Sequence, residues 1–460
     1  MANPPASIAL SSLGHLKPES LNRAIITLAL PAVLENLLVS AVFVADSFLI
    51  GHLNDAAALA AVGISGSYLF IANGLFMALS IGAMALVARA YGEGNAAQAK
   101  RIGGQSISLS VALAGVCMAA LFPLAEPFLA LLIADAEVIR QGTLYIHIIL
   151  STSLLAFPLQ VMTGIMRAAG DTRTPMYITL FMNVLNIALA AGLIFGVGPI
   201  SGLGIAGAGW GAAIARAAGG LAGVWVLAKG LSRLRITLRE MAVWDWRDVT
   251  RLWRIALPSI IDSAIQRVGF LTFTGIVASL GTVVVAANQI ANTIESLSFL
   301  PGWGFSIATG AIVGQALGAR NVAIAELATR RSMILSVSAM SLAGVGFVLF
   351  GGEIARAFGA TGDVLAQATL AIQLAALEQP FIALQMIYGG ALRGAGDTRS
   401  PMIVSLIGVI FFRITAVYVL AVQLGLGIAG VWIGTAIDWA GRSAVMYLLY
   451  RRGKWKALEI

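Results

Sequence analysis

Two ten-residue segments of this chain are almost the same. Residues 167–176 read RAAGDTRTPM, and 226 residues later residues 393–402 read RGAGDTRSPM. A nearly equal shift aligns the Ala-Leu-Pro at 29–31 with the one at 256–258. Repeats have to be recognised before single motifs are interpreted, because they set the architecture. These matches indicate that the chain consists of two related halves.

The composition places both halves in a membrane. Of the 460 residues, 59% are hydrophobic and only 11% are charged, whereas soluble domains carry about 25% charged residues. A spanning helix needs ~20 apolar residues, so twelve spans occupy most of the chain. We predict an all-α integral membrane protein with helices at 23–50, 57–80, 102–125, 140–166, 174–197, 203–228, 253–280, 283–310, 330–350, 364–392, 401–422 and 428–450.

The distribution of Lys and Arg predicts the orientation. Twenty-three of them lie on one side of the predicted topology, namely at the amino end with Lys17 and Arg23, on every second connection between spans, and in the tail. The remaining connections carry only Arg140 and Arg356. The positive-inside rule then puts both termini in the cytoplasm and requires an even number of spans. We expect a multi-pass protein of the inner (plasma) membrane. Its basic runs anchor the topology and meet anionic lipid, and we expect no nucleic acid partner.

Six spans per half give both halves the same orientation, which is a parallel repeat. We predict an N-terminal six-helix lobe at 1–228, a cytoplasmic linker at 229–252 and a C-terminal six-helix lobe with a basic cytoplasmic tail at 253–460. Parallel repeats recur in secondary transporters, which move substrates along the interface between the halves. The architecture therefore indicates transport.

Several other chemistries are disfavoured by the motifs. The chain has one cysteine and three scattered histidines, so we expect no metal site and no cofactor. It contains no phosphate-binding loop of the G-x-x-x-x-G-K-[ST] type, which excludes ATP hydrolysis. The two GLGIAG segments match a dinucleotide pattern, but neither follows a strand in a βαβ unit. We interpret their glycines as close helix contacts, at Gly207, Gly211, Gly430 and Gly434.

Ionisable residues at membrane depth are costly and therefore mark functional sites or buried pairs. The deep charged residues of the second half are Asp262, Arg267, Glu295, Glu378, Arg413, Asp438 and Arg442. Asp438 and Arg442 are four residues apart on one helix and form a direct pair. Matching depths pair Arg267 with Glu295 and Arg413 with Glu378. We interpret these as structural ion pairs, and Asp262 has no assigned partner.

The first half has an excess of deep acids. Glu35 and Asp46 face a single deep arginine, Arg216, so one carboxyl lacks a cation. Eleven residues make about three helical turns, which puts both acids on one face of the first span. Three asparagines are expected to line the same cavity, namely Asn36, Asn183 and Asn186.

A desolvated carboxyl of this kind has its charged form disfavoured. It can hold a proton or a cationic substrate but not both, which is the requirement for a proton-coupled antiporter. The alternative is that Asp46 merely hydrogen-bonds a kink near a helix end. The residues by themselves leave both interpretations open.

The chain resembles the multidrug and toxic compound extrusion (MATE) family over nearly its whole length. The resemblance rests on VADSFLIGHL at 44–53 and on the doubled GDTR segments with their Pro-Met sequel. ESLSFLPGWGFS at 295–306 and EQPF at 378–381 are similar to the DinF branch. The resemblance implies two six-helix lobes in a V shape that export organic cations or amphipathic compounds in exchange for H⁺ or Na⁺. It assigns the coupling acid to Asp46 and a supporting asparagine to Asn186.

The chain also departs from the family pattern. Ala190 stands where many members carry a second acid, and Gln266 and Ile382 stand where another branch has a cation site. Without those hard oxygen ligands a Na⁺ site in the C-terminal lobe is disfavoured, so we predict H⁺ exchange at Asp46, with Glu35 partly replacing the missing acid. We expect a monomer that binds small cationic or amphipathic substrates and membrane lipid. The alternatives are a Na⁺-coupled drug antiporter, a lipid-linked precursor flippase and, least favoured, a membrane-embedded enzyme.

Overall fold

The computed structural model describes residues 18–53, 55–197, 200–242, 244–458 and 460, so the predicted topology signal at Lys17 lies outside the described residues. The helices of the first half are α1 Pro18–Gly51, α2 Ala56–Gly92, α3 Ala96–Leu132, α4 Ala136–Ser151, α5 Ser153–Ala156, α6 Pro158–Ala168, α7 Arg173–Phe195 and α8 Ile205–Lys229. The short helix α9, Leu238–Ala242, lies in the connection to the second half.

The second half repeats this order. Its helices are α10 Trp246–Ala278, α11 Thr282–Gly318, α12 Val322–Ala357, α13 Gly362–Ala375, α14 Gln379–Gly394, α15 Arg399–Ile407, α16 Thr415–Val417 and α17 Gly427–Arg451. A 3₁₀ turn at Lys454–Ala457 follows. The hairpin between α7 and α8, β1 Gly196–Val197 with β2 Ile200–Ser201, is antiparallel and pairs Gly196 with Ser201. The predicted all-α membrane fold is confirmed, and only this two-residue pairing was missed.

The helices are long and apolar enough for a membrane. Among the described residues, nine helices meet both criteria, or eleven if each of two bent pairs counts as one span. Of the predicted twelve, α17 is the remaining one. Its 25 residues suffice to cross a bilayer, but Asp438 and Arg442 in its middle lower its mean hydropathy. Both of these side chains are buried among other helices rather than turned to lipid.

Two predicted spans are broken. The segment predicted as 140–166 consists of α4 and a continuation bent by 52°, and the segment predicted as 364–392 consists of α13 and α14, bent by 49°. A proline follows each break, Pro158 and Pro380. Proline lacks an N–H and clashes with the carbonyl four residues before it, which for Pro380 is that of Ala376 in the second break. Pro158 lies six residues after Thr152, where the first bend occurs, and does not account for that bend. The second bend places Glu378 directly before α14.

The segment predicted as 401–422 is one helix of changing pitch. Residues Gly408–Ile414 and Tyr418–Gln423 are π-helical, with the short helix α16 between them. A π-turn adds a residue and rotates the following side chains relative to an α-helix. The rotation decides where Arg413 points.

The chain divides into two compact units. The N-terminal unit comprises Leu34–Ala256, and the C-terminal unit comprises Leu257–Ile460 together with the chain up to Val33. The predicted linker 229–252 therefore belongs to the N-terminal unit. The beginning of α1 groups with the second half because Gly304 of α11 lies against it, where an added Cβ would be 2.3 Å from Val33.

Each unit has its own alanine-rich core. In the N-terminal unit, Tyr68 and Phe76 of α2 pack with Ile146 and Ile149 of α4. In the C-terminal unit, Ile372 of α13 packs with Trp432 of α17 and their neighbours. Small side chains let helix backbones approach closely in a membrane.

The prediction of glycine-mediated helix contacts is confirmed. A Cβ added at Gly207 or Gly211 of α8 would lie 2.4 Å from Leu193 or 2.7 Å from Ala190 of α7. Cβ atoms at Gly430 and Gly434 of α17 would meet Ala421 and Val417 at 2.6 and 2.8 Å. The helix pair that ends each half is therefore packed backbone to backbone.

Candidate functional site

A polar face of α7 runs beside α1 in the N-terminal unit. Thr179, Asn183 and Asn186 lie on one side of α7, since residues three or four apart share a helix face. Thr179 Oγ1 donates a hydrogen bond to Glu35 Oε1 at 3.4 Å, and Asn183 Nδ2 donates to the carbonyl of Leu38 at 2.6 Å. Asn186 Nδ2 donates to both Asp46 carboxyl oxygens, at 2.9 and 3.2 Å. The structure thus brings Glu35, Asn183, Asn186 and Asp46 together along one seam.

Asp46 is half-buried and held by a neutral group. Among the described residues no Lys, Arg or His nitrogen lies within 4.0 Å of its carboxylate. Arg216 interacts electrostatically with Asp46 from farther away. The buried side chain of Tyr145 on α4 interacts electrostatically with both Arg216 and Asp46. The Oδ1 atom of Asn186 is buried and accepts no hydrogen bond from the described part of the chain.

Glu35, which we predicted as a supporting acid beside Asp46, forms an ion pair. Arg167 Nη2 lies 2.6 Å from Glu35 Oε1, and the two side chains are only 19% and 8% exposed. The prediction counted Arg167 among the cytoplasmic charges because it follows span four. A long arginine side chain can reach back from a helix end, so its position in the sequence does not fix its depth. The first half therefore contains one unpaired deep acid, Asp46, and Glu35 acts as a structural partner.

The same pair recurs in the second half. Asp262 Oδ2 lies 3.5 Å from Arg393 Nη2. Asp262 and Arg393 stand at the positions that Glu35 and Arg167 occupy in the first half, and the arginine is in each case the first residue of the repeated RxAGDTR segment. Each unit thus ties its first span to the end of its fourth span. This role of the first arginine of the repeated segment was not predicted from the sequence.

Asp438 holds two arginines in the C-terminal unit. Arg442 Nε lies 2.6 Å from Asp438 Oδ1, which confirms the predicted pair, and Arg413 Nε lies 2.7 Å from Asp438 Oδ2. The prediction that Arg413 pairs with Glu378 was wrong, because the π-helical segment turns Arg413 towards α17. Arg442 Nη1 also donates to Gln266 Oε1 at 3.3 Å. The ring of Trp439 covers both guanidinium groups, at 5.2 and 5.6 Å.

Glu295 and Glu378 form a pair of their own. Both are buried, 8% and 1% exposed, and their carboxyls lie within hydrogen-bonding reach of each other. Arg267 lies over the ring of Phe270, and the charged neighbours of Glu295 are Glu378 and Arg413 in place of the predicted Arg267. Thr435 Oγ1 donates to Glu378 Oε1. Oε1 of Glu295 and Oε2 of Glu378 are buried and receive no hydrogen bond from the described part of the chain.

A cavity of about 230 Å³ opens onto these two acids. Its wall carries polar groups of Asn292, Ser296 and Thr435 beside the two carboxyls and Arg413. The remaining wall is aromatic, with Phe270, Phe273, Phe299, Trp432 and Trp439. Drug-binding pockets usually measure ~300–1,000 Å³. The cavity therefore suits a small cation better than a drug.

The predicted Asn36 is half-buried on α1, and its backbone carbonyl accepts a hydrogen bond from Ser40 Oγ at 3.1 Å. It neighbours Glu35 in sequence, but α1 turns it by about 100°. No group of three His, Cys, Asp or Glu side chains suited to a metal occurs in the part of the chain that the structure describes.

The two halves match one protein family separately. The MatE family model matches residues 31–191 and again residues 258–419. The chain belongs to the MATE transporter family. The double match also confirms the internal duplication, because its two starting points are aligned by the same Ala-Leu-Pro repeat.

Similar proteins cover the whole chain. The chain is 31% identical to the probable multidrug resistance protein NorM of Thermotoga maritima, over 95% of this chain and 93% of that one. Its fold matches a MOP superfamily transporter from Pyrococcus furiosus, with a TM-score of 0.88, 22% identity and 98% of both chains covered. It also matches an outward-facing multidrug resistance MATE transporter, with a TM-score of 0.89, 22% identity, and 99% and 100% covered. These relatives are transporters, and the chain is a transporter rather than an enzyme.

Proposed function

We propose that this transporter exports organic cations or amphipathic compounds in exchange for H⁺, with Asp46 as the exchange site. The observation that carries the proposal is a half-buried carboxylate whose direct partner is the neutral amide of Asn186. The relatives named as multidrug resistance proteins support the substrate class. Asn183 and Tyr145 complete the polar surroundings.

Proton and drug compete for Asp46 in this mechanism. The ionised carboxylate attracts a cationic drug, and Asn186 keeps the carboxylate oriented. A proton that arrives from the other side of the membrane removes the charge and with it the charge-assisted hydrogen bond, which is worth ~1.5–3 kcal/mol. Release of the drug then follows from protonation.

The experiment is a flux assay in reconstituted vesicles. We expect Asp46→Asn to abolish drug uptake driven by a pH gradient and to weaken drug binding about tenfold or more, since it removes a charge-assisted bond. The control is Asp363→Asn, which makes the same change at an exposed aspartate on α13. Full pH-driven uptake by Asp46→Asn would contradict the proposal. Uptake driven by a Na⁺ gradient alone would replace H⁺ by Na⁺ as the coupling ion.

The pair Glu295–Glu378 is a second candidate coupling site. Two carboxyls this close cannot both be ionised at low cost. With one shared proton they balance the two arginines around Asp438, so the cluster of these five side chains is neutral. A monovalent cation that replaces the shared proton leaves the cluster neutral as well, which allows a one-for-one exchange in the small cavity.

Glu378→Gln separates the two sites. If the pair couples transport, Glu378→Gln lowers the number of protons moved per drug molecule, measured as the pH change in the vesicle lumen, whereas Glu353→Gln at an exposed glutamate of α12 leaves it unchanged. An unchanged ratio in Glu378→Gln would leave Asp46 as the sole coupling acid. The predicted DinF branch, the cytoplasmic termini, the inner-membrane location and the monomeric state belong to this proposal too.

A further inference from the structure

The connection between α8 and α10 forms a defined surface at one face of the membrane. Both helices are candidate spans, and α8 ends at Lys229 while α10 begins at Trp246. Met241 and Ile236 lie against Ser108 and Gly103, at the start of the predicted third span 102–125, so the described residues 230–242, 244 and 245 lie close to the bilayer interface. We call residues 229–254 the interfacial segment.

The inner side of the interfacial segment is fixed to the N-terminal unit. Ser108 Oγ of α3 donates a hydrogen bond to the carbonyl of Met241 at 2.5 Å. Ile236 packs on Gly103 of α3, where a Cβ added to the glycine would be 2.7 Å from Ile236 Cδ1. Arg101 of α3 binds Asp248, with Nη2 and Oδ2 2.9 Å apart. Side chains alternate along 231–236, so that Leu234 and Ile236 are buried while their neighbours face outward. The segment is a rigid platform rather than a loose loop.

The acids of the segment are engaged on this inner side. Arg101 contacts Asp245 as well as Asp248, at 3.6 Å, and Arg251 lies 3.5 Å from Asp248. Glu240 accepts hydrogen bonds from the backbone N–H and hydroxyl of Thr237, and the hydroxyl lowers the pKa of Glu240. No acid of the segment therefore competes for the outward-facing cations.

The outer side carries guanidinium groups among exposed apolar side chains. The exposed arginines are Arg233, Arg235, Arg239, Arg247 and Arg254. Leu238 is 77% exposed, Trp246 73% and Trp244 43%, and the two indole rings lie 6.1 Å apart. Tryptophan prefers the membrane interface, where its ring meets acyl chains and its N–H meets headgroups. Basic residues at this level attract anionic headgroups.

We propose that the interfacial segment is a binding surface for anionic phospholipid. Trp244, Trp246 and Leu238 insert among the upper acyl chains, and the flanking arginines, Arg239 and Arg247 first, bind headgroup phosphates. The charge complementarity and the position between two span ends select a lipid surface over a soluble partner. The lipid holds the inner end of α10 at a fixed depth, and this role is independent of the coupling site.

The test uses the full chain in nanodiscs of phosphatidylcholine with and without phosphatidylglycerol. Each guanidinium near the surface contributes about a fivefold gain in anionic lipid binding. We therefore expect Arg239→Gln/Arg247→Gln to retain phosphatidylglycerol about 25-fold more weakly in native mass spectrometry. The control Arg140→Gln/Arg356→Gln removes two exposed arginines from other connections and should retain it like the unmodified protein.

A second readout reports depth. The fluorescence of Trp244 and Trp246 is the difference between the unmodified protein and Trp244→Phe/Trp246→Phe. Phospholipid brominated near the headgroup should quench this fluorescence, and the quenching should increase when phosphatidylglycerol is present. Equal phosphatidylglycerol retention by the two arginine pairs would overturn the proposal. So would indole fluorescence that is insensitive to brominated lipid, since the surface would then face water or a soluble partner.

Discussion

At the level of single residues, three acids of the membrane helices, two of them buried and one half-buried, have different partners. Glu35 is neutralised by an arginine, Glu378 lies beside another acid, and Asp46 is held by an amide. A buried carboxylate with an arginine partner forms a compensated pair, and removing either member leaves a buried charge uncompensated. A carboxylate held by an amide can change its charge without that penalty. In the proposed mechanism, the partner rather than the depth separates the structural acid Glu35 from the exchange site Asp46.

The Glu35–Arg167 pair yields a stability prediction. Arg167→Gln leaves a buried carboxylate without its cation, and breaking a buried pair in this way costs about 3–5 kcal/mol. The free energy of unfolding in an SDS titration should fall by about that amount. Arg173→Gln at an exposed arginine of α7 is the control.

The double variant Glu35→Gln/Arg167→Gln should recover part of the loss, since it buries no uncompensated charge. If Arg167→Gln is as stable as Arg173→Gln, the pair does not hold α6 against α1. Equal losses in the single and the double variant would assign the effect to packing instead of charge.

At the scale of the element, glycine spacing decides which helices touch. Gly207 and Gly211 are one turn apart on α8, and the matching glycines on α17 are Gly430 and Gly434. Such a stripe is an ordinary packing signal in membrane helices. In this protein it places α7, and with it Asn186, at a fixed distance from α8, which carries Arg216. Helix packing therefore sets the electrostatic environment of Asp46.

Gly211→Ala tests this contact. The added methyl would lie 2.7 Å from the backbone of Ala190, and overpacking of this kind costs about 1–3 kcal/mol. Gly63→Ala on α2 has nothing within 4 Å and gains helix propensity of up to about 1 kcal/mol. The apparent melting temperature should fall for Gly211→Ala and stay or rise for Gly63→Ala. A fall of the same size in both variants would show that the close contact does not matter for stability.

In the molecule as a whole, the two units share their helix contacts and one ion pair but differ in their other ionisable residues. Both units keep the acid–arginine pair between their first and fourth spans and the glycine contacts of their last helix pair. Asp46 of the first unit corresponds to Phe273 in the second. The pair Glu295–Glu378 occurs in the second unit only, where the first has Leu69 and Thr152 at the matching shift. The two units thus offer different ionisable sites on one scaffold.

The predicted orientation can be measured on the whole chain. In a Cys117→Ser background, which removes the single cysteine, Ala97→Cys and Ala134→Cys mark the two ends of α3. Both positions are exposed. A membrane-impermeant maleimide added to intact cells should label position 134 and not position 97, because the basic connections lie inside. Labelling of position 97 alone would reverse the topology, and labelling of neither would show that these ends are shielded.

The fold followed from local signals that act along the sequence. The length of apolar segments predicts the membrane spans, the positions of basic residues predict which side each connection faces, and a nearly identical repeat predicts two similar halves. Each of these signals depends only on how far residues are from one another along the chain. The seam of Asp46 and Asn186 was also predictable, because both lie on long regular helices. The glycine contacts followed for the same reason.

The pairing of charges was decided only by the tertiary structure. Depth in the membrane fixes a residue in one dimension, whereas an ion pair requires two charged groups to be close in all three. A long side chain can also place its charge at a different depth from its Cα atom. Arg167 reaches back to Glu35 from a helix end, and a π-helical turn directs Arg413 to Asp438. Glu295 and Glu378 meet because the chain bends by 49° just before α14. The reach of a side chain, the pitch of a helix and the bending of a span depend on packing between helices that are far apart in sequence. They therefore produce no periodic pattern in the sequence.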